Sequence, residues 1–443
     1  MSRETIKEKK NKSLEYSTCD GAASSVMEGA GSSYISPFAL ALNATNAQIG
    51  FLSSIPNLFG PLSQLITARI LKKIKSRKSI ISIFILLQAL MWIPVAFLPF
   101  IIDHHQVTYL IILFTIIVSL GSFINPIWAS LVGDLVNPQH RGQYFGNRNS
   151  IAGLTAIIFS LIAASMLDKF STKLFYAFAI MFITAGIARL ISLYFIKKHY
   201  DPSFHVPKNQ DIKFSHFIKK IKNTNFGRLT LYTSLTYFST YIASPFFAVY
   251  MLRNLNLSYI YYIILTIAAS LASLIGMKFW GKFSDKKGNG KTIKIIGIAI
   301  SLVPILWLVS QNFIYLIFIQ IIAGFAWGGY RISTMDFVYD VVKRSKRPLF
   351  ISYYNVLNGF AMFLGASIGG LILKYNYFTS MEPILVVFLI SGILRLASYL
   401  IVAPKLKDIT INPNLRHPHK LGHMIPMQGH TNEIIGIHHK QNN

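Results

Sequence analysis

The feature that most constrains this chain is a succession of apolar stretches, each long enough to cross a bilayer and separated by short polar breaks. A membrane helix needs about 20 mostly apolar residues. Twelve stretches of that kind are read near 21–42, 46–70, 79–102, 107–135, 146–168, 173–197, 227–252, 258–280, 292–310, 312–342, 349–374 and 381–403. Breaks such as Lys72-Lys73-Ile74-Lys75-Ser76-Arg77-Lys78 exclude one continuous apolar mass. The stretches lack the alternating ten-residue pattern of an outer-membrane barrel. Composition agrees: 53% of the 443 residues are hydrophobic and 13% charged, too few charges to cover a soluble protein of this size. The same numbers exclude disorder, and the single Cys19 excludes a disulfide framework. The expected fold is an all-α polytopic membrane protein with twelve transmembrane helices.

The net charge of +27 would suggest a nucleic-acid binder in a soluble chain. Its placement argues otherwise. With the N-terminus inside, segments 1–20, 71–78, 136–145, 198–226, 281–291, 343–348 and the tail are cytoplasmic. They and the adjoining helix ends hold nearly all the Lys and Arg. The opposite side has Lys169, Lys173, Arg253 and Lys374, and the connections near 43–45 and 102–107 have none. This asymmetry places both termini in the cytoplasm. The basic excess orients the protein and suits anionic membrane lipid, so no nucleic-acid partner is expected. The first 20 residues lack a cleavable signal pattern and are expected to form a mobile cytoplasmic arm.

The two groups of six helices repeat each other. Gly186-Ile187-Ala188-Arg189-Leu190-Ile191-Ser192 matches Gly392-Ile393-Leu394-Arg395-Leu396-Ala397-Ser398 at an offset of 206 residues. Asp134 matches Asp340, Arg141 matches Arg347, Asn149 matches Asn355 and Gly153 matches Gly359 at the same offset. Ser36-Pro37-Phe38 and Ser244-Pro245-Phe246 repeat at 208. The expected organisation is an arm at 1–20, a six-helix bundle at 21–198, a cytoplasmic loop at 199–226, a second bundle at 227–404 and a His-rich, disordered tail at 405–443. Parallel repeats of this kind place a site near the bilayer midplane, between the halves.

Two loops carry a family resemblance. Gly281-Lys282-Phe283-Ser284-Asp285-Lys286-Lys287-Gly288 resembles the cytoplasmic loop signature of the major facilitator superfamily. Gly133-Asp134-Leu135-Val136-Asn137-Pro138-Gln139-His140-Arg141-Gly142 is similar to the stretch between helices 4 and 5 of its sugar-porter-like members. Tyr144-Phe145-Gly146-Asn147-Arg148-Asn149 resembles a prokaryotic branch of that superfamily. The resemblance covers residues 20–404. It implies two pseudo-symmetric bundles, with helices 1, 4, 7 and 10 lining a central cavity and the loop after helix 8 latching the cytoplasmic side. Gly281 and Gly288 permit a tight turn there, and Asp285 can cap a neighbouring helix. In the equivalent first-half loop Lys72 occupies the Asp position. Pro138 stops helix 4, so Arg141 can fold back on the carbonyls of the helix end.

Charge inside a membrane is costly and marks function. The candidates are Glu28, Arg189, Arg331, Asp336 and Arg395. Arg331 lies roughly 16 Å from the inner end of its span and Glu28 roughly 10 Å. With Asn125, the repeat partner of Arg331, and with Trp128, Trp327, Tyr330, Tyr237 and Tyr241, they outline a substrate or ion pathway. Glu28 and Arg331 are open to two readings, a transport role or a structural ion pair. The aromatic residues are equally open to ordinary packing. A cytoplasmic gate is expected from Asp134, Arg141, Arg189, Gly281, Asp285, Gly288, Asp336, Asp340, Arg347 and Arg395, with Arg189 and Arg395 paired to Asp134 and Asp340.

No catalytic constellation, phosphate loop or His-Glu-x-x-His motif is present, so no enzyme activity, cofactor or resident metal is expected. The six tail histidines, His417, His419, His423, His430, His438 and His439, are read as a solvated segment. The leading expectation is a monomeric, proton-coupled secondary transporter of a small molecule in the cell membrane. A non-transporting sensor or scaffold on the same fold is the alternative.

Overall fold

The computed structural model describes residues 5–71, 76–137, 141–202, 214–221, 224–342, 347–375 and 381–406. Every regular element among them is helical. The first half contains α1 (Ile6–Ala30), α2 (Ile35–Ala41), α3 (Asn46–Leu71), α4 (Arg77–Ile101), α5 (Gln106–Leu135), α6 (Arg141–Lys169) and α7 (Leu174–Lys197). A short amphipathic α8 (Phe214–Ile221) leads into the second half. That half holds α9 (Asn225–Ala243), α10 (Phe246–Val249), α11 (Tyr259–Lys287), α12 (Asn289–Leu306), α13 (Phe313–Val341), α14 (Arg347–Tyr375) and α15 (Pro383–Val402). Ten helices among the described residues are long and apolar enough to cross a membrane.

The halves pack alike. In the first, α1 lies on α6 and α7, α3 on α5, and α4 on α5 and α7. In the second, α9 lies on α14 and α15, α11 on α13, and α12 on α13 and α15. Each pair has its counterpart at the repeat offset. The halves meet where α3 packs on α14 and α6 on α11, two contacts that a twofold axis would exchange.

The repeated Ser-Pro-Phe triplets explain the two broken helices. Proline lacks an N–H and clashes with the carbonyl four residues earlier. Pro37 therefore disrupts the chain at Ser33, inside the 3-10 turn Ser32–Tyr34 that separates α1 from α2. Pro245 does the same at the junction of α9 and α10. Phe38 and Phe246 after them are fully buried and anchor the bent segments in one shared apolar core.

Residues 6–20, expected as a mobile arm, are instead the first turns of α1. Thr5 and Glu8 form a reciprocal capping box at its start. The stretch reads as polar because its buried side chains are small or paired: Ser13, Ser17 and Asp20 are all buried among neighbouring helices. Residues 407–443, with the histidine tail, lie outside the described residues.

Helices in lipid gain little from the hydrophobic effect and rely on close packing. The seam between α11 and α13 shows this: a methyl group on Gly324 would overlap the Ala269 carbonyl, which is backbone and has nowhere to go. Gly324→Ala is expected to lose most folded protein on size-exclusion chromatography, whereas Gly153→Ala, with no atom within 4 Å of the added carbon, should behave as wild type. Equal yields from the two variants would contradict this packing.

Candidate functional site

Asp20, Ser24 and Glu28 stand four residues apart on α1, so they share one helix face. That face looks onto two arginines. Arg148 on α6 donates to the Ser17 carbonyl at 2.9 Å and reaches Asp20 at 3.5 Å, with its guanidinium 4.2 Å from the Trp128 ring centroid. Arg189 on α7 donates to Gln88 Oε1 at 2.7 Å, Ser24 Oγ at 3.0 Å and Ser192 Oγ at 2.9 Å. Ser192 passes the chain on, donating to Asp20 at 2.6 Å. Glu28 lies within the field of Arg189. Two carboxylates thus face two guanidinium groups. Glu28 is exposed although protein surrounds it, as befits a side chain lining an internal space.

This network corrects one expectation. Arg189 is not paired with Asp134. Asp134 is already held by Arg77 at 2.6 Å, and Arg77 also reaches Asp201 at 3.4 Å and the Ser130 carbonyl at 3.1 Å. Arg77 is 1% exposed, so its removal strands polar groups on α5 and on the segment after α7. Arg77→Met is expected to cost about 3 kcal/mol, by analogy with broken buried pairs. It should lower the thermal midpoint by several degrees, and an unchanged midpoint would show the cluster to be energetically idle.

Arg395 also departs from expectation. It donates to Ser391 Oγ at 3.1 Å and to the Ile300 carbonyl at 3.0 Å, with no carboxylate partner among the described residues. Pro304, four residues after Ile300, has no N–H to offer that carbonyl. Asp340 instead accepts from Asn289 at 2.8 Å. Arg347 does fold back on its helix end, donating to the Tyr339 carbonyl at 2.7 Å and the Val342 carbonyl at 3.0 Å. The side chain of its repeat partner Arg141 lies outside the described residues, as does Lys72. Asp336 sits within the field of Tyr339, near this end of α13.

In the second half an aromatic wall forms around Arg331. Tyr237 stacks on Trp327 with ring centroids 6.1 Å apart and planes at 22°. Tyr330 meets both rings edge-on but is fully buried, so it backs the wall rather than lining it. Arg331 is exposed on the open side, close enough for its charge to act on Tyr237 and Tyr241. Tyr241 lies near Asn57 on α3, which places this group at the seam between the halves. Glu28 is not among the groups that Arg331 meets, so of the two readings the structural ion pair between them is not formed. Asn125 is exposed on α5.

Two ends of the molecule differ. At one, the turn after α11 is made by Gly288 at φ 94°, while Gly281 lies inside the helix. Asp285 is exposed there, with no hydrogen bond or ion pair among the described residues. At the far end the halves are tied. Asp168 at the end of α6 accepts from the backbone N–H groups of Tyr259 and Ile260, at 2.9 and 3.0 Å, across the seam. Arg253 donates to the Ala44 carbonyl at 3.1 Å, again between halves.

Asp20, Gln88, Arg77 and Asp168 were not singled out from sequence. The spacing of Asp20, Ser24 and Glu28 was a usable signal for the first. Nothing in the chain order connects Asp168 to the start of α11.

The sequence matches the profile of the Major Facilitator Superfamily over residues 21–227 and 229–423. No curated protein sequence matches it significantly. Among solved structures, a mutant of the nucleoside transporter NupG superposes with a TM-score of 0.66 at 15% identity, covering 91% of this chain and 100% of the other. A bacterial homologue of the human lysosomal transporter Spinster, inward-facing and unoccupied, gives 0.62 at 16% identity, over 91% and 95%. Its occupied form gives 0.62 at 14%, over 89% and 93%. With a family profile spanning both halves, and a fold whose helix pairs repeat across a twofold axis, the chain belongs to the Major Facilitator Superfamily of membrane transporters.

Proposed function

We propose that this protein is a proton-coupled secondary transporter of a small molecule. On this reading twelve crossings form when α1 with α2, and α9 with α10, each count as one, and both termini face the cytoplasm. The positive-inside asymmetry supports that orientation and a place in the cell (plasma or inner) membrane. A monomer suffices, because the pathway lies between the halves of one chain.

The observation that carries the proposal is the contrast between the two ends. Asp168 and Arg253 tie the halves at the far end, while Glu28, Arg331, Asn125 and Asp285 are exposed. That is the arrangement of an alternating-access carrier closed on one side. The Asp285 loop then serves as the latch of the opposite state. Glu28 is the proposed proton carrier: an accessible carboxylate facing a buried guanidinium, whose charge can be gained and lost without dismantling the Asp20 pair.

Reconstituted vesicles test this. An imposed pH gradient should drive solute accumulation by wild type. Glu28→Gln should lose gradient-driven accumulation while retaining exchange of solute down its own gradient. Accumulation by Glu28→Gln equal to wild type would remove that residue from coupling. Asp285→Asn should alter transport without altering membrane insertion, and normal kinetics would remove the latch.

A further inference from the structure

We infer that the transported molecule is a small organic anion, and that Arg331 is the group that holds its carboxylate or phosphate. The inference rests on the transporter reading above.

The argument begins with charge balance in the two halves. In the first, Asp20 and Glu28 face Arg148 and Arg189, two against two. In the second, the deep charges are Arg331 and Arg395. Arg395 is buried and spends its donors on a hydroxyl and a carbonyl, neutral groups that leave its charge in place. Arg331 has no hydrogen bond or ion pair from its side chain among the described residues, and the tyrosines it faces are neutral. Asp336 lies further along the same helix, where its charge acts on Tyr339. With two arginines against the one carboxylate of Asp336, the second half is net positive at depth, and Arg331 is the exposed member.

An unpaired guanidinium at membrane depth is strongly unfavourable. It persists where water or a ligand supplies the missing partner. Arg77 and Arg148 are each met by a carboxylate, and Arg395 by a hydroxyl and a carbonyl. Arg331 has been left open, and its surroundings are those of a binding subsite. The Tyr237–Trp327 stack gives an apolar wall, and the hydroxyls of Tyr237 and Tyr241 lie near the guanidinium. An oxyanion would meet a planar fork of donors at that position, which is the geometry guanidinium groups recognise best. The organic part of the molecule would rest on the aromatic wall.

The test uses the purified full chain and matched pairs of compounds: benzoate with benzamide, succinate with succinamide, and glycerol 3-phosphate with glycerol. Thermal unfolding is followed at millimolar concentrations of each. At least one anion should raise the melting temperature by several degrees, and its neutral partner should not. Arg331→Gln should keep the ligand-free melting temperature and lose the shift. Arg331→Lys should weaken binding roughly tenfold to a hundredfold, because charge is kept while the fork is lost. The inference is overturned if a neutral compound stabilises as well as its anion, if the shift survives in Arg331→Gln, or if none of the anions stabilises wild type. Should Arg331→Gln fail to fold, the Arg331→Lys titration decides by the same criterion. Uptake of the labelled anion into vesicles separates the two readings. Arg331-dependent binding without flux would leave the anion site standing and remove the transporter reading. Flux of a neutral compound alone would do the reverse.

Discussion

Asp20→Asn is expected to be among the most damaging single substitutions in this protein, lowering stability by about 3–5 kcal/mol and transport by more than tenfold. Asp20 is 3% exposed and accepts from Ser192 at 2.6 Å and Arg148 at 3.5 Å. Through Ser192 it also fixes Arg189, which is 7% exposed. Neutralising it leaves the buried Arg189 and the half-buried Arg148 with Glu28 as the remaining carboxylate. Removing one partner of a buried pair costs more than the pair itself contributes, because the other charge stays behind. Asp20→Asn combined with Arg148→Gln restores the balance and should recover a substantial part of the lost stability. The measurement is thermal unfolding of the purified variants alongside vesicle transport. A single variant as stable as wild type, or a double variant no better than the single, would show that the network is not held by charge balance.

The apolar stretches were legible because crossing a bilayer requires length and apolarity, and both are visible in one dimension. The start of the first helix was not. Residues 6–20 look like a solvated arm, and their burial depends on Arg148 and Ser192, contributed from more than a hundred residues away. The duplication was also legible, and it brought Arg189 and Arg395 forward as equivalent. Their partners were not legible, since depth along a helix does not fix which neighbour it faces. Asp134 was the right depth for an ion pair and was taken by Arg77. Arg395 found a carbonyl released by Pro304, a partner that a search restricted to carboxylates overlooks. The aromatic residues divided in the same way: Trp327 and Tyr237 form the wall, while Tyr330 is packed behind it.

Asp168→Ala should shift the protein toward a state open at the far end. The carboxylate accepts from the first two N–H groups of α11, and Ser258 accepts from the third, at Tyr261. These donors have no partner within their own helix, and the helix dipole adds to their pull on a negative group. Asp168 belongs to the first half and α11 to the second, so the bond exists only while the halves are closed there. Hydrogen bonds to a charged group contribute about 1.5–3 kcal/mol, which corresponds to a shift of roughly tenfold to a hundredfold in a two-state equilibrium. Arg253 and its bond to Ala44 remain in the variant, so closure should be weakened rather than abolished. The natural chain has a single cysteine, which makes the measurement direct. In a Cys19→Ser background, spin labels at Ser171 and Gln311, exposed at the far ends of the two halves, report their separation. Wild type should show one short distance and Asp168→Ala a second, longer population. Asp168→Asn keeps the shape but loses the charge, and should fall between them. Identical distributions in all three would mean that the far-end closure does not depend on Asp168.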